Sequence, residues 1–273
     1  PLKQSQESVA AFQKEYSHIT VEVTGMSSTI SDYETKLNAA VLSGTYPDVL
    51  NIVLAHVGSR GVVKDFEPLQ PYVDAWEDKD DIYESAYNMG KYEGELIALG
   101  CGPDPKINVY RKDFFEAAGL DPEKPPKTWT ELADFAEKLT IRDASGNVTQ
   151  AGLAIPAVDS SLVFTEPFMR SNGSLVIDEV NLKPAFTDTG AIGALQYLGD
   201  LAAKNVYIPF DLQNSEENPF LNNRAAMATV SVGPLRNFIL ENPDLKDQIG
   251  YMDIWQKDES TPGVAFCGYQ LYA

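Results

Sequence analysis

The chain has 273 residues, 44% of them apolar and 22% charged, with a formal net charge of −19. That length can bury one large core or two medium ones. The acidic excess excludes a nucleic-acid footprint, which needs clustered Lys and Arg, and it argues against adsorption to anionic lipid.

Nothing in the sequence is long and apolar enough to cross a bilayer. The two cysteines, Cys101 and Cys267, make no disulfide framework and have no metal-ligand spacing, so both are expected as unpaired small core residues. In chain order, residues 1–17 carry Val9, Phe12 and Tyr16 at helical spacing. Ile19 to Val23 alternates like a strand and ends at Gly25. Ser31 with Glu34 predicts a capping box, Tyr33, Leu37 and Val41 a buried stripe, and Gly44 the stop. A second strand, Val49 to Leu54, then completes a strand–helix–strand unit of the parallel type. Residues 55–61 are expected as a polar loop at that strand's carboxyl end, where open α/β sheets gather ligands. Residues 77–84 are mostly acidic and are expected as a solvated face.

A tight turn is predicted at Tyr92-Glu93-Gly94, then the apolar run Leu96 to Leu99. A Gly/Pro-broken stretch, Gly100 to Pro105, precedes a second extended segment, Ile107 to Tyr110. Gly and Pro in a strand-like run mark a change of direction or a close backbone approach. A long strand that leaves one compact unit and feeds the first helix of another has this form, and it predicts a hinge. Thr128 and Glu131 form a second capping box, with Trp129, Leu132, Phe135 or Ala136, and Leu139 as the core stripe. The turn at Asp143 to Asn147 lacks the spaced acids of a calcium loop. A strand through Leu153 leads to a polar loop, Asp159 to Ser161, and then to a helix over 164–170 that ends at Asn172-Gly173. Asp188 falls in a cap ahead of a helix expected to bury Ile192, Leu195, Leu198 and Leu201. Residues 249–254 and 264–273 are expected as a second crossover.

Four motifs in order carry a family resemblance: the extended run, Tyr110-Arg111-Lys112-Asp113-Phe114-Phe115, Ala118-Gly119-Leu120, and Pro126-Lys127-Thr128-Trp129-Thr130-Glu131-Leu132. Together they resemble the first crossover of bacterial extracellular solute-binding proteins, family 1, the maltose-binding-protein-like receptors of ABC importers. The turn at Phe66 to Tyr72 and the passage Phe220 to Val230 resemble the same family. Asn223 stands there where glycine is usual, and Asn tolerates the left-handed conformation best among substitutes. Leu235 replaces an expected aromatic platform. The resemblance implies an α/β, two-lobed, periplasmic-binding-protein-like fold of type II, each lobe a mostly parallel sheet flanked by helices and joined to the other by hinge strands. Lobe 1 would comprise residues 1–107 plus 250–273 and lobe 2 residues 108–249, with the chain incomplete relative to the family at both ends.

Enzymatic signatures are missing. The two histidines, His18 and His56, accompany no nucleophile elbow, zinc-protease motif or phosphate loop, and Gly100-x-Gly102 lacks the third glycine of a dinucleotide loop. Paired acids such as Asp80/Asp81, Glu93/Glu95 and Glu216/Glu217 leave a two-carboxylate glycoside hydrolase as the rival reading. The resemblance implies instead a carbohydrate receptor closing by hinge motion, with no catalytic residue, metal or cofactor. Its partners would be a sugar ligand and an ABC permease, without nucleic acid. It would act as a monomer outside the cytoplasm, as a bacterial cell-surface lipoprotein or periplasmic protein. The same fold could take another solute, such as a sugar phosphate, an amine or a peptide. Sugars need carboxylates and amides for hydroxyls and aromatic faces for ring faces. The candidate ligand residues are His56, Val57, Gly58 and Arg60 after the strand, Asp104 before the crossover tyrosine, Ser160, Ser161 and Phe164, and Gly268 with Tyr269.

Overall fold

The computed structural model describes residues 2–25, 30–156, 161–178, 181, 183–210, 218–265 and 267–273. The chain forms two compact units, residues 1–48 and 49–273.

The first unit holds α1 (Leu2–Glu15) and α2 (Ile30–Ser43). Phe12 and Tyr16 fall one helical turn apart and stack with ring centroids 4.8 Å apart, but on the exposed side. Ile19 to Val23 is not a strand. A strand's amides need a neighbouring ladder, none pairs here among the described residues, and Val21 N instead donates to Gln13 Oε1 at 2.8 Å. The expected strand–helix–strand unit is therefore not formed. Ser31, expected to cap α2, lies inside it. Leu37 is buried, and Gly44 ends the helix at φ +67, a left-handed residue with glycine's freedom.

In the second unit β1 (Asn51–Val53) pairs antiparallel with a distant strand and buries Ile52. The expected polar loop is a helix, α3 (Ala55–Val63), closed by Lys64 in the left-handed region at φ 55. One face of it buries His56, Val57, Arg60 and Gly61. That spacing is a helical stripe whose polar members disguise its periodicity. The helices α4 (Gln70–Asp74) and α5 (Glu84–Met89) follow. The acids Asp78, Asp80 and Asp81 between them are exposed, as expected. The hairpin β2 (Lys91–Tyr92) to β3 (Glu95–Leu96) turns on Glu93 and Gly94 at φ 48 and 88, the two positive values of a type I′ turn.

The strand β4 (Leu99–Arg111) absorbs the Gly/Pro-broken stretch into one 13-residue element. It delivers the chain to α6 (Lys112–Ala117) and α7 (Trp129–Leu139). The predicted capping box opens α7: Thr128 Oγ1 accepts from Glu131 N at 3.3 Å, and Glu131 Oε2 accepts from Thr128 N at 3.1 Å. Trp129, Leu132, Ala136 and Leu139 form its buried stripe. An added Cβ on Gly152 would lie 2.0 Å from the Ala136 carbonyl oxygen, so glycine there lets its own strand, Val148–Pro156, approach the α7 backbone.

After β5 (Ile141–Arg142) and β6 (Val148–Pro156) come α8 (Ser161–Ser171), a short ladder of β7 (Ile177–Asp178) with β8 (Lys183–Pro184), and α9 (Thr189–Ala203). Asp188 caps α9 by accepting from Ala191 N at 2.8 Å. The buried face of α9 is Ala191, Ala194 and Leu201; Ile192 and Leu195, expected inside, are exposed. Helix α9 packs against α8, and the small side chains on its buried face allow close approach of neighbouring elements. The chain continues through β9 (Tyr207–Phe210), β10 (Ala225–Ser231), α10 (Val232–Glu241), β11 (Ile249–Met252) and β12 (Cys267–Tyr272).

The main sheet runs β1-β12-β4-β10-β6-β5, with β11 also on β4 and β9 also on β6. The pairs β10·β6 and β6·β9 are parallel, and β12, β10 and β11 all run antiparallel to β4. Alternate residues supply two cores, as a sheet covered on both faces requires. Tyr110, Leu153, Ile155, Met227 and Met252 pack with Phe115, Trp129, Phe168 and Ala191. Val109, Ala154, Ala228, Val230 and Ile249 pack with Leu235 and Phe238. Leu235 is thus core, and no ring stands there. Asn223 takes the expected left-handed conformation at φ 57, and Arg111 donates to its Oδ1 while gripping the Asp113 carboxylate at 2.8 and 2.6 Å. Cys101 and Cys267 form no disulfide and are exposed, contrary to the core placement expected. They sit in β4 and β12, where side chains on the outer face of the ladder meet solvent.

Candidate functional site

The strand β4 changes partner in mid-course. Pro105 is the last residue in register with β12, opposite Cys267, and Lys106 is the first in register with β10, opposite Ser231. From Asn108 onward β11 also pairs with it. One strand therefore belongs to two ladders, and at the change each residue has a ladder partner on one side only, whereas Asn108 to Tyr110 are paired with both β10 and β11.

Polar side chains line this change. Asp104, Lys106 and Asn108 alternate along β4 and so share a face. The Lys106 ammonium donates to the Asp104 carboxylate and, at 2.7 Å, to Ser231 Oγ. Asn108 stands opposite Thr229 in the register; its Oδ1 accepts from Thr229 Oγ1 at 2.7 Å and its Nδ2 donates to the Asp253 carbonyl at 3.4 Å. Cross-strand neighbours of this kind lie close enough to bond directly.

An aromatic wall faces the polar stripe. Phe164 and Phe168, one turn apart on α8, have ring centroids 5.0 Å apart, and each lies 6.2 Å from Trp255. Trp255 is fixed by its chain neighbour: Gln256 N donates to the Lys127 carbonyl and Trp129 N to the Gln256 carbonyl, both at 3.0 Å, beside the α7 cap. Trp255 is 5% exposed, and its indole Nε1 has no acceptor among the described residues. Lys106, Asn108, Thr229, Phe164, Phe168 and Trp255, with Val264 and Ala265, line a narrow crevice of about 30 Å³. Its chemistry is one of hydroxyl recognition: amide, hydroxyl, ammonium and indole groups beside apolar ring faces.

The structure brings three of the residues expected from sequence to this place. Phe164 lines the crevice, Asp104 grips Lys106, and Gly268 pairs with Asp104 across β4·β12. Tyr269 pairs with Pro103 one position further along. Ser161 opens α8, and Ser160 lies outside the described residues. His56, Val57, Gly58 and Arg60 are in α3, where Val53 N donates to His56 Nδ1 at 3.3 Å and Arg60 pairs with Asp65 at 3.1 Å; none of the four lines the crevice. Lys106, Asn108, Thr229 and Trp255 are not among the residues expected from the sequence. The period-two alternation of Asp104, Lys106 and Asn108 carried the signal.

Of the paired acids, Asp80, Asp81, Glu93 and Glu95 are exposed, on a 3-10 turn and a hairpin, and Glu216 and Glu217 lie outside the described residues. Among the described residues no cluster of His, Cys, Asp or Glu is placed to hold a metal, and no helix is long and apolar enough to cross a membrane.

Over residues 2–270 the chain matches the family described as bacterial extracellular solute-binding protein. It is 26% identical over 253 residues to the sn-glycerol-3-phosphate-binding periplasmic protein UgpB of Pectobacterium atrosepticum, an alignment covering 87% of this chain and 55% of that protein. It thus spans about half the length of the curated relatives it matches. A solute-binding protein of an ABC transporter from Thermotoga lettingae, solved with alpha-D-tagatose bound, is 25% identical with a TM-score of 0.84, covering 99% of this chain and 68% of that one. UgpB from Mycobacterium tuberculosis, solved with glycerophosphocholine, gives a TM-score of 0.83 at 16% identity, covering 98% of this chain and 65% of that one, a likeness of fold.

Proposed function

The chain belongs to the bacterial extracellular solute-binding protein family, and on that premise we propose that it is the substrate-capturing component of an ABC importer, binding a carbohydrate outside the cytoplasm. The observation that carries this reading is the partner change on β4 with a hydroxyl-matching crevice beside it. Two halves divided near residues 107 and 250 close on the ligand. The backbone at Pro105–Lys106 and the segment between β11 and β12 absorb the motion. Closure is driven only by contacts that the ligand makes in the closed state and lacks in the open one.

The role is binding, not turnover. A hydrolase would need two carboxylates facing each other across a sugar, about 5–9.5 Å apart, and the crevice lining contains no acid among the described residues. A phosphate site would call for several cations, whereas the lining holds Lys106 alone, and Asp104 neutralises it. A neutral sugar or polyol fits this lining best. The captured ligand is handed to a membrane permease, and the receptor works as a monomer in the periplasm or tethered at the cell surface.

A melting-temperature screen against monosaccharides, oligosaccharides and polyols tests the reading. A ligand at 100 times its Kd adds about 2.7 kcal/mol of stability by mass action. The expected result is a saturable rise with a neutral sugar or polyol and no release of reducing sugar on incubation. Release of reducing sugar, or a rise with none of these compounds, would contradict it.

A further inference from the structure

Lys106 is the only charged residue among the described residues that line the crevice, and its side chain is 8% exposed. A cation held that deeply ordinarily invites an anion, for which charge-assisted hydrogen bonds are strongest. Here the charge is already answered. Asp104 lies two residues away on the same face of β4, and Ser231 lies directly opposite on β10; the ammonium donates to both. An ammonium has three N–H donors, so one remains for a ligand. That donor can serve a hydroxyl, but a phosphate brought to it would meet the Asp104 carboxylate as a like charge. Specificity commonly rests on such a repulsive element.

We propose that the Asp104–Lys106 pair sets the charge selectivity of the crevice, admitting neutral sugars and polyols and refusing phosphate esters. The inference rests on the carbohydrate reading for the ligand it admits. The two kinds of relative differ in this respect: one set is named for sn-glycerol 3-phosphate, and another was solved with a neutral sugar. The pair places this chain with the second. Asp104, not Lys106, is then the selecting residue, because removing the acid leaves an unanswered cation in an enclosed site.

The test titrates the full chain, Asp104→Asn, Lys106→Met and the double variant with D-tagatose and with sn-glycerol 3-phosphate by calorimetry. Binding of inorganic phosphate to the same four proteins is followed by phosphorus NMR. The expected result is that Asp104→Asn gains affinity for glycerol 3-phosphate and inorganic phosphate by about tenfold, the size of one removed like charge a few ångströms away at a partly exposed site. That gain should fall with added salt, and Lys106→Met and the double variant should show none. Asp104→Ser also removes the acid, should show the same gain, and serves if Asp104→Asn folds poorly by circular dichroism, while Ser231→Ala, which keeps both charges, should gain nothing. Phosphate binding to the unaltered chain as tight as to Asp104→Asn, no gain in Asp104→Asn, or a gain in Ser231→Ala would each overturn the proposal. Failure of every sugar to bind, alongside a phosphate gain in Asp104→Asn, would remove the carbohydrate reading and leave the charge masking standing.

Discussion

Lys106 faces Ser231 across β4·β10, while Pro105, its immediate neighbour, faces Cys267 across β4·β12. Adjacent residues of one strand thus answer to different ladders. Amides there open locally at lower cost than those flanked on both sides, such as Val109 and Tyr110, which lie between β10 and β11. Hydrogen exchange followed by mass spectrometry should find the peptide around Lys106–Ile107 exchanging at least about tenfold faster than the one around Val109–Arg111. Ligand should slow the first and leave the second unchanged. Equal protection throughout β4 would speak against a hinge.

Thr229 holds Asn108 in place inside the crevice, and Asn108 is 9% exposed. Thr229→Val keeps the shape and deletes the hydroxyl, leaving a buried amide oxygen without its donor at a cost of about 1–3 kcal/mol. Urea unfolding should register that loss. Ligand affinity should fall as well, since Asn108 is then free to turn away.

Asn223 serves two ends at once, a left-handed turn and an acceptor for Arg111. Asn223→Gly loses only the acceptor, whereas Asn223→Ala loses it and strains the backbone by a further 1–2 kcal/mol or so. The order of midpoints in urea should be wild type, then Gly, then Ala. A variant with Ala as stable as the one with Gly would contradict the assignment.

The α7 cap predicts an acid dependence. Backbone N–H donors of Lys127, and then Thr128, hold the Glu131 carboxyl below its ordinary range. The Ala191 N–H does the same for Asp188 at the start of α9. Groups with a lowered folded pKa stabilise the fold above their unfolded value, near pH 4, and lose that contribution as pH falls through the folded value. Stability should therefore decline from about pH 5 towards pH 3, and Glu131→Gln should flatten part of the slope. Thr128→Ala should cost about 1 kcal/mol at neutral pH.

The features legible in sequence were those fixed by local chemistry. The Thr128–Glu131 box, the turn at Glu93-Gly94 and the Gly44 stop each follow from a few adjacent residues, whereas the positive φ of Asn223 followed from the resemblance that puts it where glycine is usual. Elements that depend on distant partners were harder to read. Ile19 to Val23 alternates correctly but has no ladder among the described residues, and the α3 stripe was hidden because His56 and Arg60 occupy positions that usually hold aliphatics. On α9 the sequence offered two apolar faces, and packing against neighbouring elements chose the alanines. The crevice was only half visible. Asp104 and Phe164 could be named from resemblance, but Lys106, Asn108 and Thr229 meet only through the β4·β10 register, and neither strand states that register alone.

The indole of Trp255 reports most directly on a ligand entering the crevice, because it lines that crevice while Trp76 is exposed and Trp129 packs against Tyr197. Nitrogen–proton NMR of the three tryptophan side chains, recorded while a stabilising sugar or polyol is titrated, separates them. The Trp255 resonance should move in a saturable way with the same Kd found by calorimetry, while Trp76 and Trp129 stay in place. Saturable sugar binding that leaves Trp255 unmoved would contradict binding in the crevice.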